Sequence, residues 1–364
     1  MPIAFASDQR IVMTLDAGGS NLKFSAVRAN QPLMDPLSVP SEAADLGRCL
    51  GNIVRGFEEV KQRLPAPPVA ISFAFPGPCD YTRGIIGDLG NLPGFRGGVA
   101  LGPMLEDKFG IPVYINNDGD LFVYGEAIAG LLPYVNGLLE QAGSPKRYHN
   151  LFGITLGTGL GGGIARNGEL FIGDNSIAAE AWLLRNKLVP GINAEEGACI
   201  RAVRRVYAER AGIGADQAPE PKAIFEIGMG LAEGDRAAAV EAFRRLGEVA
   251  GDAMAQALTL VDGLGVVGGG ISGAYPLFLP ALVDAVNGVY DSGQRRLCAQ
   301  AYNLEDAAQR EAFLRGDRRE IGVPGGSRRI VYDPLPRTAI GITRLGTSEA
   351  VAIGAYAFAL RQPG

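Results

Sequence analysis

Residues 151 to 170, LFGITLGTGLGGGIARNGEL, decide the fold: glycine occupies five of the seven positions from 157 to 163, between two apolar stretches with strand-like alternation. Gly157-Thr158-Gly159-Leu160-Gly161-Gly162 satisfies the G-x-G-x-x-G dinucleotide fingerprint, which requires a helix to open at the glycines. Here the continuation GGIARNGELFIG brings Gly162, Gly163, Asn167 and Gly168 with renewed alternation, so a second strand is expected. The stretch reads as strand, glycine turn, strand. Unhindered N–H groups in such a turn form a concavity for anions, the Thr158 hydroxyl adds a donor, and phosphate is the natural occupant.

RIVMTLDAGGSNLKFSAV, residues 10 to 27, repeats the plan: an apolar run, the turn Asp16-Ala17-Gly18-Gly19-Ser20, then β alternation ending past Lys23. Asp16, at a strand end, is suited to hold a metal ion directly or through water. A third glycine group, Gly268-Gly269-Gly270, closes the apolar run GLGVVGGGIS at 263 to 272. Either hairpin alone matches an ordinary tight turn; two phosphate grips facing across a cleft, with the third group, describe a nucleoside triphosphate site.

Around these turns strands and helices alternate. Helical spacing runs through Leu46, Leu50, Ile53, Val54, Phe57 and Val60; VAISFAFPGP (69 to 78) reads as a strand; IPVYINNDGDLFVYGEA (111 to 127) reads as a strand, a polar tip and then an apolar helix; 195 to 211 and 236 to 260 read as helices. That order predicts an α/β protein with helix-covered sheets. At 364 residues two domains are expected: a smaller one, 1 to 125 plus the closing helix 350 to 364, and a larger one, 126 to 349. The charged, Arg-rich segment 291 to 338 reads as an inserted helix and loop, in the plainer reading a solvated excursion.

Thirty-four basic against 39 acidic residues, a net charge of -5, leave no electrostatic footprint for nucleic acid or anionic lipid. Cys49, Cys79, Cys199 and Cys298 contain no C-x-x-C pair and His149 is the single histidine, so neither a zinc site nor a disulfide framework is expected. No apolar run of membrane-spanning length and no basic-then-apolar leader stands out, which predicts no membrane partner and a cytoplasmic location.

LDAGGSNLKFSAV, FPGPCDYTRGIIGDLGNLPGF, INNDGD, ITLGTGLGGGI, VVGGGIS and LGTSEAVAIGAYAFAL resemble, in this order, the successive motifs of the ROK family of sugar kinases and repressors, among the actin/hexokinase-like ATPases. The resemblance implies two α/β domains with mixed sheets (a ribonuclease H-like fold), ATP and Mg2+ in the cleft, a sugar acceptor and a homodimer. It places the nucleotide at Asp16, Gly18, Gly19, Ser20, Lys23, Gly157, Thr158, Gly159, Gly161, Gly268, Gly269 and Gly270. The family's Asn-Asp falls on Asn117 and Asp118, making Asp118 the implied general base and Asn117 a sugar ligand, although Asn-Asp-Gly is equally a turn signature. Asn91 and Glu180 match further positions near the sugar.

The chain then departs from the family. Leu183 stands where the Glu-x-Gly-His motif has histidine, the cysteine-rich zinc segment is replaced by NAEEGACIRAV, and Arg201 occupies the place of a sugar-binding glutamate. Arg201 either faces solvent on its helix or recognises a substrate carboxylate or phosphate; Glu195 or Glu196 can restore the lost acceptor. The expected function is an ATP-dependent sugar kinase. The alternatives are a non-catalytic sugar or nucleotide sensor and a ROK-type regulator, for which no helix-turn-helix is expected in the ten or so residues before the first hairpin.

Overall fold

The computed structural model of the chain describes residues 5–17, 21–77, 79–87 and 93–362. They form two compact units: residues 1–130, 163–178 and 345–364, and residues 131–162 and 179–344.

In the first unit the sheet comprises β1 (Val12–Ala17), β2 (Asn21–Arg28), β3 (Gln31–Pro32), β4 (Leu37–Pro40), β5 (Ala70–Ala74) and β6 (Val113–Asn116) in the order β3-β2-β1-β5-β6, with β4 on β2. β1 and β2 are the expected antiparallel hairpin, while β1, β5 and β6 run parallel. Helix α1 (Leu46–Arg63) is capped by Asp45, whose carboxylate accepts the Arg48 N–H, and buries Cys49, Ile53, Phe57 and Val60, one stripe at helical spacing. Phe57 packs edge-on to Phe24 and Phe109, and helix α2 (Leu101–Phe109) closes this core.

Helix α3 (Asp118–Ile128) is apolar almost all round; together with α4 (Leu131–Gln141) it is the one stretch among the described residues long and apolar enough to cross a membrane. Most of that stretch is buried inside the protein. α3 packs on the closing helix, here α10 (Thr347–Arg361), as its small residues foretold. At the crossing Gly125 lies against the Ala350 carbonyl and Gly354 against the Leu121 carbonyl, so backbones touch where a side chain would hold them apart.

The second sheet has the order β11-β14-β10-β7-β8-β9, from β7 (Asn150–Leu156), β8 (Leu160–Arg166), β9 (Glu169–Leu170), β10 (Leu264–Gly268), β11 (Gln300–Asn303) and β14 (Arg337–Ile342). β7, β10, β14 and β11 are parallel. In the second unit α5 (Ile200–Ala211), α6 (Pro221–Met229), α7 (Arg236–Val261) and α8 (Tyr275–Val286) pack on one another, Gly247 and Gly251 of α7 letting the Phe278 and Leu282 carbonyls of α8 approach.

Two expectations need correction. The units part at Gly130, between Gly162 and Gly163, and again after Arg344, so 126–130, 163–178 and 345–349 lie with the first unit rather than the larger domain; Gly163 packs directly on Gly119 and Asp120. Nor is 291–338 a solvated excursion throughout. β11 and α9 (Ala307–Arg315) belong to the sheet layer and bury Ala301, Leu304 and Phe313. Only β12 (Arg319–Gly322) and β13 (Arg329–Tyr332), an antiparallel pair, are exposed along their whole length. Arg337 is buried because its guanidinium pairs with buried Asp333, donates to the Phe313 carbonyl at 2.7 Å and lies over the Phe313 ring.

Candidate active site

In the first unit the parallel strands align Asp16 of β1 with Ala74 of β5, and Ala74 with Asn116 of β6, in one row across the carboxyl ends. Ligands of open α/β sheets bind outside that edge. Lys23 is the cross-strand partner of Asp16, so both side chains project from the same face of the hairpin. Gly18, Gly19, Ser20 and Asn91 lie outside the described residues.

Asn117 and Asp118 follow directly on that row. Asn117 is the N-cap of α3, its Oδ1 accepting the Gly119 N–H at 2.7 Å, while its Nδ2 reaches the Tyr81 hydroxyl at 3.5 Å. The buried Tyr81 hydroxyl donates to the Phe75 carbonyl at 3.0 Å, fixed beside Gly77 in space a side chain would otherwise fill. Tyr81 thus orients Asn117, a role its sequence context FPGPCDYTRG does not announce.

The Asp118 carboxylate also accepts the Gly119 N–H, at 2.9 Å, and opens to solvent while Gly119 and Asp120 behind it are buried. Crowding by surrounding protein desolvates the carboxyl and pushes its pKa upward; backbone N–H bonds pull it down, and the Asp16 charge adds to the rise. The net direction is up, and a carboxylate raised in this way is, once ionised, a stronger base than a free aspartate.

The strand-turn-strand reading of 151–170 holds, and residues 157–159, in the second unit, form the turn. Gly157 directly follows β7, and Gly268 ends the neighbouring parallel strand β10 with Gly269 and Gly270 just beyond it, so both groups lie at carboxyl ends. A side chain on Gly157 would come no nearer than 4.0 Å to the Gly270 N, and Gly270 has open space beside it, which leaves room for a ligand. Gly269 is different: it adopts φ +89° and lies against the Leu156 backbone.

The protein itself fills the space beside most of the other glycines. A Cβ on Gly159 would meet the Glu195 carboxylate at 2.6 Å, Gly162 faces the Ala179 carbonyl, and a Cβ on Gly163 would stand 2.7 Å from the Gly119 carbonyl. The glycine density therefore serves packing at three positions and leaves Gly157 for close approach by another molecule.

Glu180 sits next to that packing. Ala179 and Ser176 just before it have left-handed φ values of 58° and 54°, and the Glu180 carboxylate accepts the Trp182 indole N–H. Strain of this kind persists where surrounding structure demands it. Arg201, offered either to solvent or to a substrate anion, does neither exclusively: it donates to the Thr158 carbonyl at 3.1 Å, to Glu195 at 3.2 Å and to Glu196 at 3.0 Å. Its charge is already matched by two carboxylates, and half of its side chain remains exposed. Glu195, whose partners lie 35 and 6 residues away, accepts the Leu160 N–H at 3.1 Å and takes the place of a Gly159 side chain.

A model of the ROK family matches residues 12–312. The chain belongs to the ROK family. A solved structure described as a glucokinase from Parabacteroides distasonis is 52% identical, with a TM-score of 0.91 over 99% of this chain and 100% of that one. A ROK glucokinase from Streptomyces griseus, solved with glucose and AMPPNP, shares the fold at 21% identity, TM-score 0.60, over 95% of this chain and 98% of its own. The curated glucokinase of Thermotoga maritima is 30% identical over 42% of this chain and 43% of its own length, so the chain spans under half of that relative in the match. The two α/β units with mixed sheets are thus the actin/hexokinase-like fold of the ROK kinases.

Proposed function

We propose that this ROK protein is an ATP-dependent kinase that transfers the γ-phosphate to a sugar hydroxyl, with Asp118 as general base. The observation that carries the reading is the Asp118 carboxylate: held at the first turn of α3, open to solvent, raised in pKa and two residues past Asn116, which shares a register row with Asp16. Phosphoryl transfer to an alcohol needs positioning, charge neutralisation and one acceptor for the hydroxyl proton. Asn117, oriented by Tyr81, would hydrogen-bond the sugar, with Glu180 as a further acceptor.

The turn at 157–159 supports the phosphate role by its peptide directions. The Gly157 carbonyl accepts the Ile200 N–H at 2.8 Å and the Thr158 carbonyl accepts Arg201, so both point toward α5. In a trans peptide the N–H points opposite to the carbonyl. The Thr158 and Gly159 N–H groups therefore face away from α5, free to meet phosphate oxygens.

Among the described residues no three His, Cys, Asp or Glu side chains group to hold a metal. Mg2+ suits such a donor set, since it binds through one or two carboxylates together with substrate phosphates; Asp16 would hold it, and it would neutralise phosphate charge. A cytoplasmic homodimer completes the proposal, its stoichiometry readable by analytical ultracentrifugation.

The experiment is ADP release with ATP against hexoses, N-acetyl sugars, sugar acids and anhydro-sugars, glucose first because the 52% identical relative is described as a glucokinase. Turnover with one class supports the reading; ATP binding without turnover on any acceptor overturns it in favour of a sensor.

A further inference from the structure

We infer that the Glu195–Arg201 pair is the positioning device that sets the peptide directions of the glycine turn, and through them the affinity for the nucleotide; the second half of this inference rests on the kinase reading. The turn's backbone leaves three polar groups on its α5 side, and beyond the Gly157 carbonyl, held by the Ile200 N–H, two are met by side chains. The Thr158 carbonyl is met by the Arg201 guanidinium at 3.1 Å, and the Leu160 N–H is met by the Glu195 carboxylate at 3.1 Å. The two side chains also bind one another at 3.2 Å. One donor and one acceptor thus close the two sides of Gly159, as a neighbouring strand would.

The pair is anchored from behind. Glu196 binds Arg201 at 3.0 Å, the Asn193 side chain accepts the Glu196 N–H at 3.2 Å, and the Glu196 carbonyl accepts Arg205 at 2.7 Å. The Ile200 N–H, at the first turn of α5, holds the Gly157 carbonyl. Glycine at two of the three turn positions leaves these peptides little restraint beyond the Gly157 N–H bond to the Gly159 carbonyl, and glycine peptides rotate readily. Tethering the Gly157 and Thr158 carbonyls toward α5 is what turns two consecutive N–H groups outward. Gly159 must be glycine for the same reason, since a Cβ there would displace the Glu195 carboxylate.

Glu195 and Arg201 touch no reacting atom in this scheme, so their removal should act on nucleotide affinity rather than on the sugar. Glu195→Ala is expected to raise the KM for ATP about tenfold, the scale of a lost charge-assisted hydrogen bond. The KM for the accepted sugar should stay within about twofold. Glu195→Gln, which keeps an acceptor for Leu160, should recover part of the loss. Amide exchange gives a readout independent of turnover: the Leu160 N–H should exchange faster in Glu195→Ala than in the native chain.

Unchanged Leu160 exchange in a folded Glu195→Ala protein overturns the inference, as does a KM for ATP equal to that of the native enzyme. If Glu195→Ala does not fold, Arg201→Met, altering a half-exposed side chain, takes its place with the same two readouts and the same overturning results. A native chain that phosphorylates no sugar overturns the kinase reading alone, because the exchange experiment still judges the tether.

Discussion

The Asp16 and Asn116 backbones stand two strands apart in one register row, through Ala74, so that the carboxylate proposed to hold Mg2+ and the strand tip that launches Asp118 share one sheet edge. This spacing explains why the Asp16 charge is felt at Asp118 and pushes its carboxyl further up. Under the proposed kinase reading, the rigidity of β1, β5 and β6 also matters to the site.

That rigidity depends on the helices behind the edge. Gly125→Ala places a methyl group on the Ala350 carbonyl, where backbone rather than a flexible side chain must yield. Overpacking of this kind costs about 1–3 kcal/mol and displaces the elements involved. We expect a lower denaturation midpoint in urea, and a loss of kcat larger than a partly unfolded fraction accounts for, because α3 carries Asp118 at its first turn.

The third glycine group separates fold from function within three residues. Gly269→Ala forces an alanine into φ +89° against Leu156 and is expected to cost about 2 kcal/mol or more in chemical denaturation. Gly270→Ala meets nothing within 4 Å and should leave the midpoint within about 0.5 kcal/mol of native. If Gly270 borders the nucleotide, the same variant raises the KM for ATP.

The buried pair Arg337–Asp333 ties the Arg-rich segment to the sheet. Arg337→Met leaves the Asp333 carboxylate buried without its partner, at a cost of about 3–5 kcal/mol measurable by denaturant unfolding. Burial alone pushes the Asp333 carboxyl up, but the bonds from Arg337 and from the Asp317 and Leu335 N–H groups outweigh it and hold the pKa down. The pair therefore stabilises above the ordinary carboxylate range, and its contribution is lost as pH falls through the lowered Asp333 pKa. Arg337→Met should correspondingly flatten the acid limb of the stability profile.

The sequence made the architecture legible because both glycine hairpins interrupt long, purely apolar strands, and because the spacing of α1 and the small residues of α10 each admit one face. It misled where composition and position compete. Leu304, Phe313 and Ala339 are fully buried in a region whose charge density reads as surface, since its buried strands are only four to six residues long and Arg337 itself goes inside. The density of glycine at 157–163 suggested close approach by a ligand, at Gly157, Gly159 and Gly161, whereas Gly159, Gly162 and Gly163 answer to Glu195, Ala179 and Gly119. Those partners come from segments brought together only by folding, so no local pattern marks them. Tyr81 escaped notice for the same reason: its hydroxyl meets Asn117, 36 positions on.

Asp118→Asn tests the central assignment on two axes at once. As general base, the carboxylate accepts the sugar hydroxyl proton, a contribution of about 10²–10⁴ in rate; kcat should fall by that range while the KM for ATP stays close to native. In the native enzyme kcat/KM should fall on the acid side as the carboxylate protonates, with a midpoint above the ordinary aspartate value, because desolvation and the Asp16 charge raise it. The stability consequence has the opposite sign to that of Asp333. A carboxyl with a raised folded-state pKa binds its proton more tightly in the native protein, so its favourable contribution is full at low pH and disappears as pH rises through the folded value. Above the folded value the ionised Asp118 is a net burden on the fold, and the neutral amide removes it. Asp118→Asn is therefore expected to raise Tm at pH 7 while nearly abolishing turnover, and to show no Tm advantage at pH 3. A variant that loses turnover and Tm together at pH 7 would assign Asp118 to holding the first turn of α3 instead of the chemistry.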